Sequence, residues 1–237
     1  RPASVLADAV AEVLEWRRTH CLVDDSPTYA DGRRPSVADL PNGEWFSRFC
    51  AIGLWCGHSV GGHHVKIERP GTADVYGLGL EPNFQPRMCT FYWALLEQMQ
   101  RELDAESAVV GRLIGFYEVF DMAELRLSAI SNLRVIAAVR SVLLSFDSCF
   151  KETTVRIAVI NAPRWVVVAC RPILDMLAPR VKSKIAILGI DYEDELSLDL
   201  DKEAMALLKA PAEVLVRHRG GPRMAPPRAQ ALTSTAG

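Results

Sequence analysis

The chain has 237 residues, with 27 basic and 29 acidic side chains and a formal net charge of −2. Hydrophobic residues make up 49% and charged residues 24%, which excludes a disordered or collagen-like chain. The near-neutral balance argues against a nucleic-acid binder, and even the longest apolar runs, such as Trp165 to Cys170, are far short of the roughly 18 residues a membrane-spanning helix needs.

Residues 4–17 place Val5, Leu6, Ala9, Val10, Val13, Leu14 and Trp16 at helical spacing, with Arg17 and Arg18 in the last turn, where cations suit the helix dipole. Residues 24–44 are rich in Asp, Pro, Gly and Arg and predict a loop; 44–56 predict a second short helix. After the turn signal Gly61-Gly62, His64 to Glu68 alternates like a strand. Helices are expected at 89–103, 128–146, 163–178 and 201–209, and strands at 113–120, 155–160 and 185–190. The last two are so apolar that burial on both faces is expected. Strands alternating with long helices predict an α/β layered domain with a mostly parallel sheet. From Pro222 the chain is rich in Pro, Ala, Ser and Thr, and 222–237 is expected to be a disordered tail.

The six cysteines are widely and irregularly spaced without a CxxC pair, which reads as reduced thiols in a cytosolic protein. No signal-peptide pattern opens the sequence; its first residue is Arg1, so targeting is left unassigned. Phosphate-loop, dinucleotide and nucleophile-elbow motifs are absent. Cys50, Cys56, His58, His63 and His64 are metal-ligand types at no familiar zinc spacing, and no metal or cofactor is expected. Glu118 and Asp121 flank a strand end, either as a catalytic carboxylate pair or as capping and ion-pairing groups. No catalytic constellation emerges, which favours binding over transformation.

The stretch Val155-Arg-Ile-Ala-Val-Ile-Asn-Ala-Pro163, the apolar helix after it, and Leu177-Ala-Pro-Arg-Val-Lys-Ser-Lys-Ile-Ala-Ile-Leu-Gly189 resemble the CRAL-TRIO lipid-binding family. Collinear segments agree: Trp16-Arg17-Arg18, Gly62 to Arg69, Phe120-Asp121-Met122, Phe150-Lys151-Glu152, Pro211-Ala-Glu213 and Gly220-Gly221. The resemblance implies a partial N-terminal helical lobe at 1–57 and a CRAL-TRIO domain at 58–221, whose sheet is lined by helices and closed by an apolar gate helix. It departs from the family at the central strand, where the hydroxyl residues of phosphatidylcholine-binding relatives appear as Phe116 and Glu118.

The resemblance further implies non-catalytic binding and inter-membrane transfer or presentation of a hydrophobic ligand, phosphatidylinositol or a related lipid. The partners implied are that ligand and, transiently, a membrane surface, with no nucleic acid; the location implied is cytoplasmic and peripherally membrane-associated. A lipid-sensing or membrane-targeting module of a larger regulatory protein is the alternative. Phe116, Val119, Ile157, Val159 and Ile187 are expected to form the pocket floor. Trp165, Val166, Ala169, Cys170, Ile173 and Leu177 are expected to form the lid, although so apolar a helix also suits a buried core. Glu152, Lys184 and Lys182 are assigned to the ligand headgroup, against the alternative of an ordinary strand-edge ion pair. Residues 164–184 carry five basic residues against Asp175, and 191–203 carry seven acids against Lys202. The basic set either adsorbs to anionic lipid or is neutralised by its acidic neighbour.

Overall fold

The structure, a computed structural model, describes residues 3–20, 33–149, 153–169 and 179–221. Glu152, the lid positions Cys170, Ile173 and Leu177, and the tail from residue 222 lie outside them. The described residues form a five-stranded sheet in the order β1 (Ile52–Gly53), β2 (His64–Glu68), β3 (Phe116–Asp121), β4 (Thr154–Ile160), β5 (Ile185–Ile187). β1 runs antiparallel to β2, and all later neighbours are parallel. Parallel neighbours require crossovers. These are α3 (Val75–Leu80) and α4 (Phe84–Val110) between β2 and β3, and α5 (Leu133–Cys149) between β3 and β4. α4 carries Phe84, Met88, Phe91, Leu95, Met99 and Leu103 on one stripe at helical spacing, all 2% exposed or less. It ends at Gly111, whose φ of +75° is the left-handed cap that glycine adopts without penalty.

Strand alternation divides the interior into two cores. Val65, Ile67, Tyr117, Val119, Ala158 and Ile160 face the rear. There they meet α8 (Glu193–Asp199), α9 (Lys202–Leu208) and α10 (Ala212–Arg217) through Leu196, Leu207 and Leu215. Phe116 faces the front, with α4, α5 and the aromatic group Trp45, Phe46 and Trp55. Two short helices flank the sheet in sequence: α2 (Gly43–Phe46) before β1, and α7 (Pro179–Lys182) before β5, with α6 (Arg164–Ala169) following β4. The N-terminal α1 (Ala3–Thr19) stacks Trp16 edge-on against Trp93 of α4, 5.4 Å between ring centroids.

Several expectations need correction. The helix expected over 44–56 is only α2; Ile52 and Leu54 leave it because their fully buried side chains and β1 complete the sheet and front core. The sheet therefore begins inside the segment expected to be N-terminal lobe. β4 is not buried on both faces: Ile157 and Val159 are half-buried on the front while Ala158 and Ile160 are sealed behind. β5 is three residues long and lies at the sheet edge, leaving Ile187 41% and Ile190 76% exposed. Apolarity alone does not distinguish a doubly covered strand from an edge strand awaiting a cover.

Candidate functional site

The front face is ordered by register into rows that cross the sheet. One row runs Lys66, Glu118, Ile157, Ile185; the next runs Glu68, Phe120, Val159, Ile187. Along both rows the chemistry changes from ionised to apolar and the exposure rises. Lys66 and Glu118 are each 4% exposed and Glu68 is 7%, whereas Ile157, Val159 and Ile185 are half-buried and Ile187 is open. β4 and β5 thus present a partly exposed apolar floor, with a sealed charged cluster beside it.

That cluster is tightly connected. Lys66 Nζ lies 2.8 Å from Glu118 and 3.1 Å from Glu68, with the Phe120 ring centroid at 5.3 Å. The Tyr92 hydroxyl, from α4, donates to Glu68 at 2.6 Å, and the Thr154 hydroxyl donates to Glu118. Burial alone would push the Lys66 ammonium down, but Glu118 and Glu68 outweigh it and hold the group above the ordinary lysine value. Burial and the Glu68 charge raise the Tyr92 phenol far above its usual range, so it stays a donor. At the lower edge of β4, Lys184 Nζ donates to the Thr154 carbonyl at 2.6 Å. Burial and the neighbouring Arg180 lower the Lys184 pKa. A polar path therefore runs from Lys184 through Thr154 and Glu118 to Lys66, Glu68 and Tyr92.

The expected floor is assembled only in part. Ile157, Val159 and Ile187 share the front face. Phe116 shares it too, but is fully buried against Trp55, 5.0 Å between centroids. Val119 is the error: one residue from Glu118, it points to the rear core and cannot line a pocket with Ile157. Within α6, Val166 is buried, Trp165 half-buried and Val168 74% exposed, and Ala169 is its last residue. Lys182, in α7, is half-buried beside exposed Arg180.

Glu118 and Asp121 are not a carboxylate pair. Three residues apart on a strand, they point to opposite faces. Asp121 instead accepts from the Ala123 amide at 2.9 Å and from Asn161 at 2.8 Å. Nor do the metal-ligand types converge: Cys50 lies in the front core and Cys56 in the rear core. His64 donates to Glu106 at 2.7 Å, and Arg34 donates to the same oxygen at 2.6 Å. Burial pushes the His64 imidazole down to about 4 despite that carboxylate. The acidic segment has partners of its own: Glu195 and Asp199 lie 3.4 and 3.1 Å from Arg156, and Glu193 lies 2.8 Å from Lys209.

Lys66, Glu68 and Tyr92 are absent from the residues the sequence singles out. For Lys66 and Glu68 the available signal is positional: charged residues on a strand inside the sheet and covered by a helix have to be paired where they are buried. A surface cleft of about 650 Å³ between residues 71–76 and 124–132 holds none of the expected site residues. Among the described residues, no helix is long and apolar enough to cross a membrane.

No curated protein matches the sequence significantly. Among solved structures, Sfh5 superposes with a TM-score of 0.57 at 11% identity, covering 88% of this chain and 78% of that one, a likeness of fold. Residues 52–206 match the CRAL/TRIO domain family, whose members bind hydrophobic lipid ligands and are typically non-catalytic. The match starts at β1 and ends within α9, spanning the whole sheet and the crossover helices that cover it, and on that evidence the chain belongs to the CRAL/TRIO domain family.

Proposed function

We propose that this protein binds a membrane lipid, phosphatidylinositol or a related lipid, and transfers or presents it between membranes without covalent chemistry. The observation that carries this reading is the partly exposed apolar floor of Ile157, Val159, Ile185 and Ile187, on a sheet face where Lys66, Glu68 and Glu118 are sealed. A lipid with two acyl chains brings on the order of thirty methylenes at about 0.8 kcal/mol each, so a carrier must replace the bilayer with such a surface. Lys184, with Lys182 and Arg180 near it in sequence, supplies positive charge for a phosphate at the floor's edge. Glu152 is the proposed partner for the rest of the head, and the helix from Trp165 to Leu177 the proposed lid. The exposed Val168 and the basic residues around β5 suit transient contact with an anionic bilayer at a cytoplasmic membrane surface.

The test is native mass spectrometry after incubation with mixed liposomes, followed by lipid extraction. One phosphatidylinositol per protein, lost in the Glu152→Ala/Lys184→Ala double variant, is the expected result. A different single hydrophobe would keep the carrier and retire the headgroup assignment. Recovery of no lipid would overturn the carrier reading itself.

A further inference from the structure

The cleft of about 650 Å³ between residues 71–76 and 124–132 shares no residue with the lipid floor. One wall follows β2 and runs into α3; the other follows β3 and leads to α5. The two walls meet where position 71 is glycine, since a Cβ there would stand 2.0 Å from the Ala123 carbonyl oxygen. Three polar side chains of the lining are already fixed. Asp74 accepts from the Gly77 amide at 2.8 Å, Asn132 accepts from the Val135 amide at 3.3 Å, and Ser131 donates to the Ser128 carbonyl at 2.8 Å. Three others are open to water. Tyr76 is 73% exposed, Glu124 and Arg126 are exposed, and none of these side chains has a hydrogen-bond or ion-pair partner among the described residues. Glu124 is also held at a φ of +63°, a left-handed conformation that costs a non-glycine residue energy and that concentrates at ligand clamps and other functional sites.

These groups select among ligand classes. Asp74 and Glu124 against Arg126 leave the lining with excess negative charge, which disfavours a phosphate or a carboxylate. An open wall of polar groups gives an acyl chain little gain over water. Among the described residues no cluster of His, Cys, Asp or Glu could hold a metal ion. What fits is a neutral ring with hydroxyls around its edge and C–H groups on its face, and the volume is that of a small-molecule site. Its hydroxyls can donate to Asp74 and Glu124 and accept from Arg126 and the Asn132 amide, while its C–H face lies against the exposed Tyr76 ring. We propose that this cleft is a saccharide-binding site, with Tyr76 as the stacking platform and Glu124 and Arg126 as the open hydrogen-bonding pair. The proposal goes beyond the lipid-carrier reading and does not depend on it. Two sources carry such a ring: a free sugar, and the sugar headgroup of a membrane glycolipid.

Saturation-transfer NMR on the full chain, with the methyl glycosides of glucose, galactose, mannose and N-acetylglucosamine, tests the free source. Flotation with phosphatidylcholine vesicles, with and without glucosylceramide or galactosylceramide, tests the membrane source. The expected result is transfer from at least one glycoside, weaker for the phosphate monoester of the same sugar, or flotation that requires the glycolipid; which assay responds identifies the source. Tyr76→Ala should weaken that binding about tenfold, and Glu124→Gly about fivefold or more. Both positions are exposed, so both variants should fold. Glu124→Gly also relieves the left-handed φ and should not lower the urea midpoint. Binding that survives both substitutions overturns the assignment to this cleft. Tighter binding of the sugar phosphate overturns the neutral-ligand reading. A lowered midpoint in Glu124→Gly makes that residue a support of the loop rather than a ligand contact, and Tyr76→Ala then decides the site alone. No transfer from any glycoside and no glycolipid-dependent flotation overturn the proposal and leave the lipid-carrier reading standing.

Discussion

Lys66, Glu68 and Glu118 on β2 and β3 share a sheet face with Ile157, Val159, Ile185 and Ile187 on β4 and β5, yet the two halves obey opposite rules. The charged half is sealed, with Tyr92 of α4 on Glu68 and the ammonium between its two carboxylates. The apolar half is partly open. Ordinary globular packing would reverse this, covering the apolar strands and wetting the charged ones. The inversion makes sense if the halves have different roles. One half holds its own polar groups in place, and the other waits for an apolar partner. Open apolar surface on a folded domain is the more costly feature, and it marks interaction.

The largest effect that could break this comparison is on the charged half. Lys66→Met leaves two buried carboxylates without their cation and is expected to cost about 3–5 kcal/mol in urea unfolding. Ile187→Ser on the open half should cost less than about 1 kcal/mol, because the side chain is already 41% exposed. Similar costs would mean that the two halves are equally sealed. A smaller effect sharpens the front–rear assignment. Val119→Ala, fully buried in the rear core, should cost about 1–3 kcal/mol and leave lipid uptake unchanged. Val159→Ala should cost less in stability and reduce uptake, and the reverse pattern would place Val119 on the floor. The smallest is a pH effect next to the charged half. His64 has its folded-state value lowered to about 4 from 6.5. Between those values the unfolded chain binds more protons, so stability should fall as pH drops through that window and level off below it. His64→Gln should flatten the urea midpoint against pH over that range; an unchanged slope would show that other groups carry it.

The architecture is largely legible in the sequence because it follows from periodicity. The helical stripe of α4 and the alternation of His64 to Glu68 each report a local geometric repeat, and the apolar runs at 155–160 and 185–190 mark two further strands, the second of them only over Ile185–Ile187. The Asn-Ala-Pro and Ser-Lys-Ile segments point to the family, whose match covers residues 52–206. The site is less legible. Val119 reads as a floor residue because it is apolar and adjacent, although strand pleating sends adjacent residues to opposite faces. Glu118 stands out in the sequence beside the wrong partner, Asp121, which lies on the other side of the sheet.

By itself, the sequence determined what local chemistry determines: where most strands and helices form, and which of them are apolar. Tertiary structure alone decided which strand is an edge, and therefore which apolar residues stay open. It also decided that Lys66, Glu68, Tyr92, Glu118 and Thr154, far apart in the chain, meet in one buried cluster. The reason is physical. Secondary structure is set by neighbours in the chain, whereas exposure and charge pairing are set by neighbours in space, and parallel pairing brings together residues that no spacing rule connects.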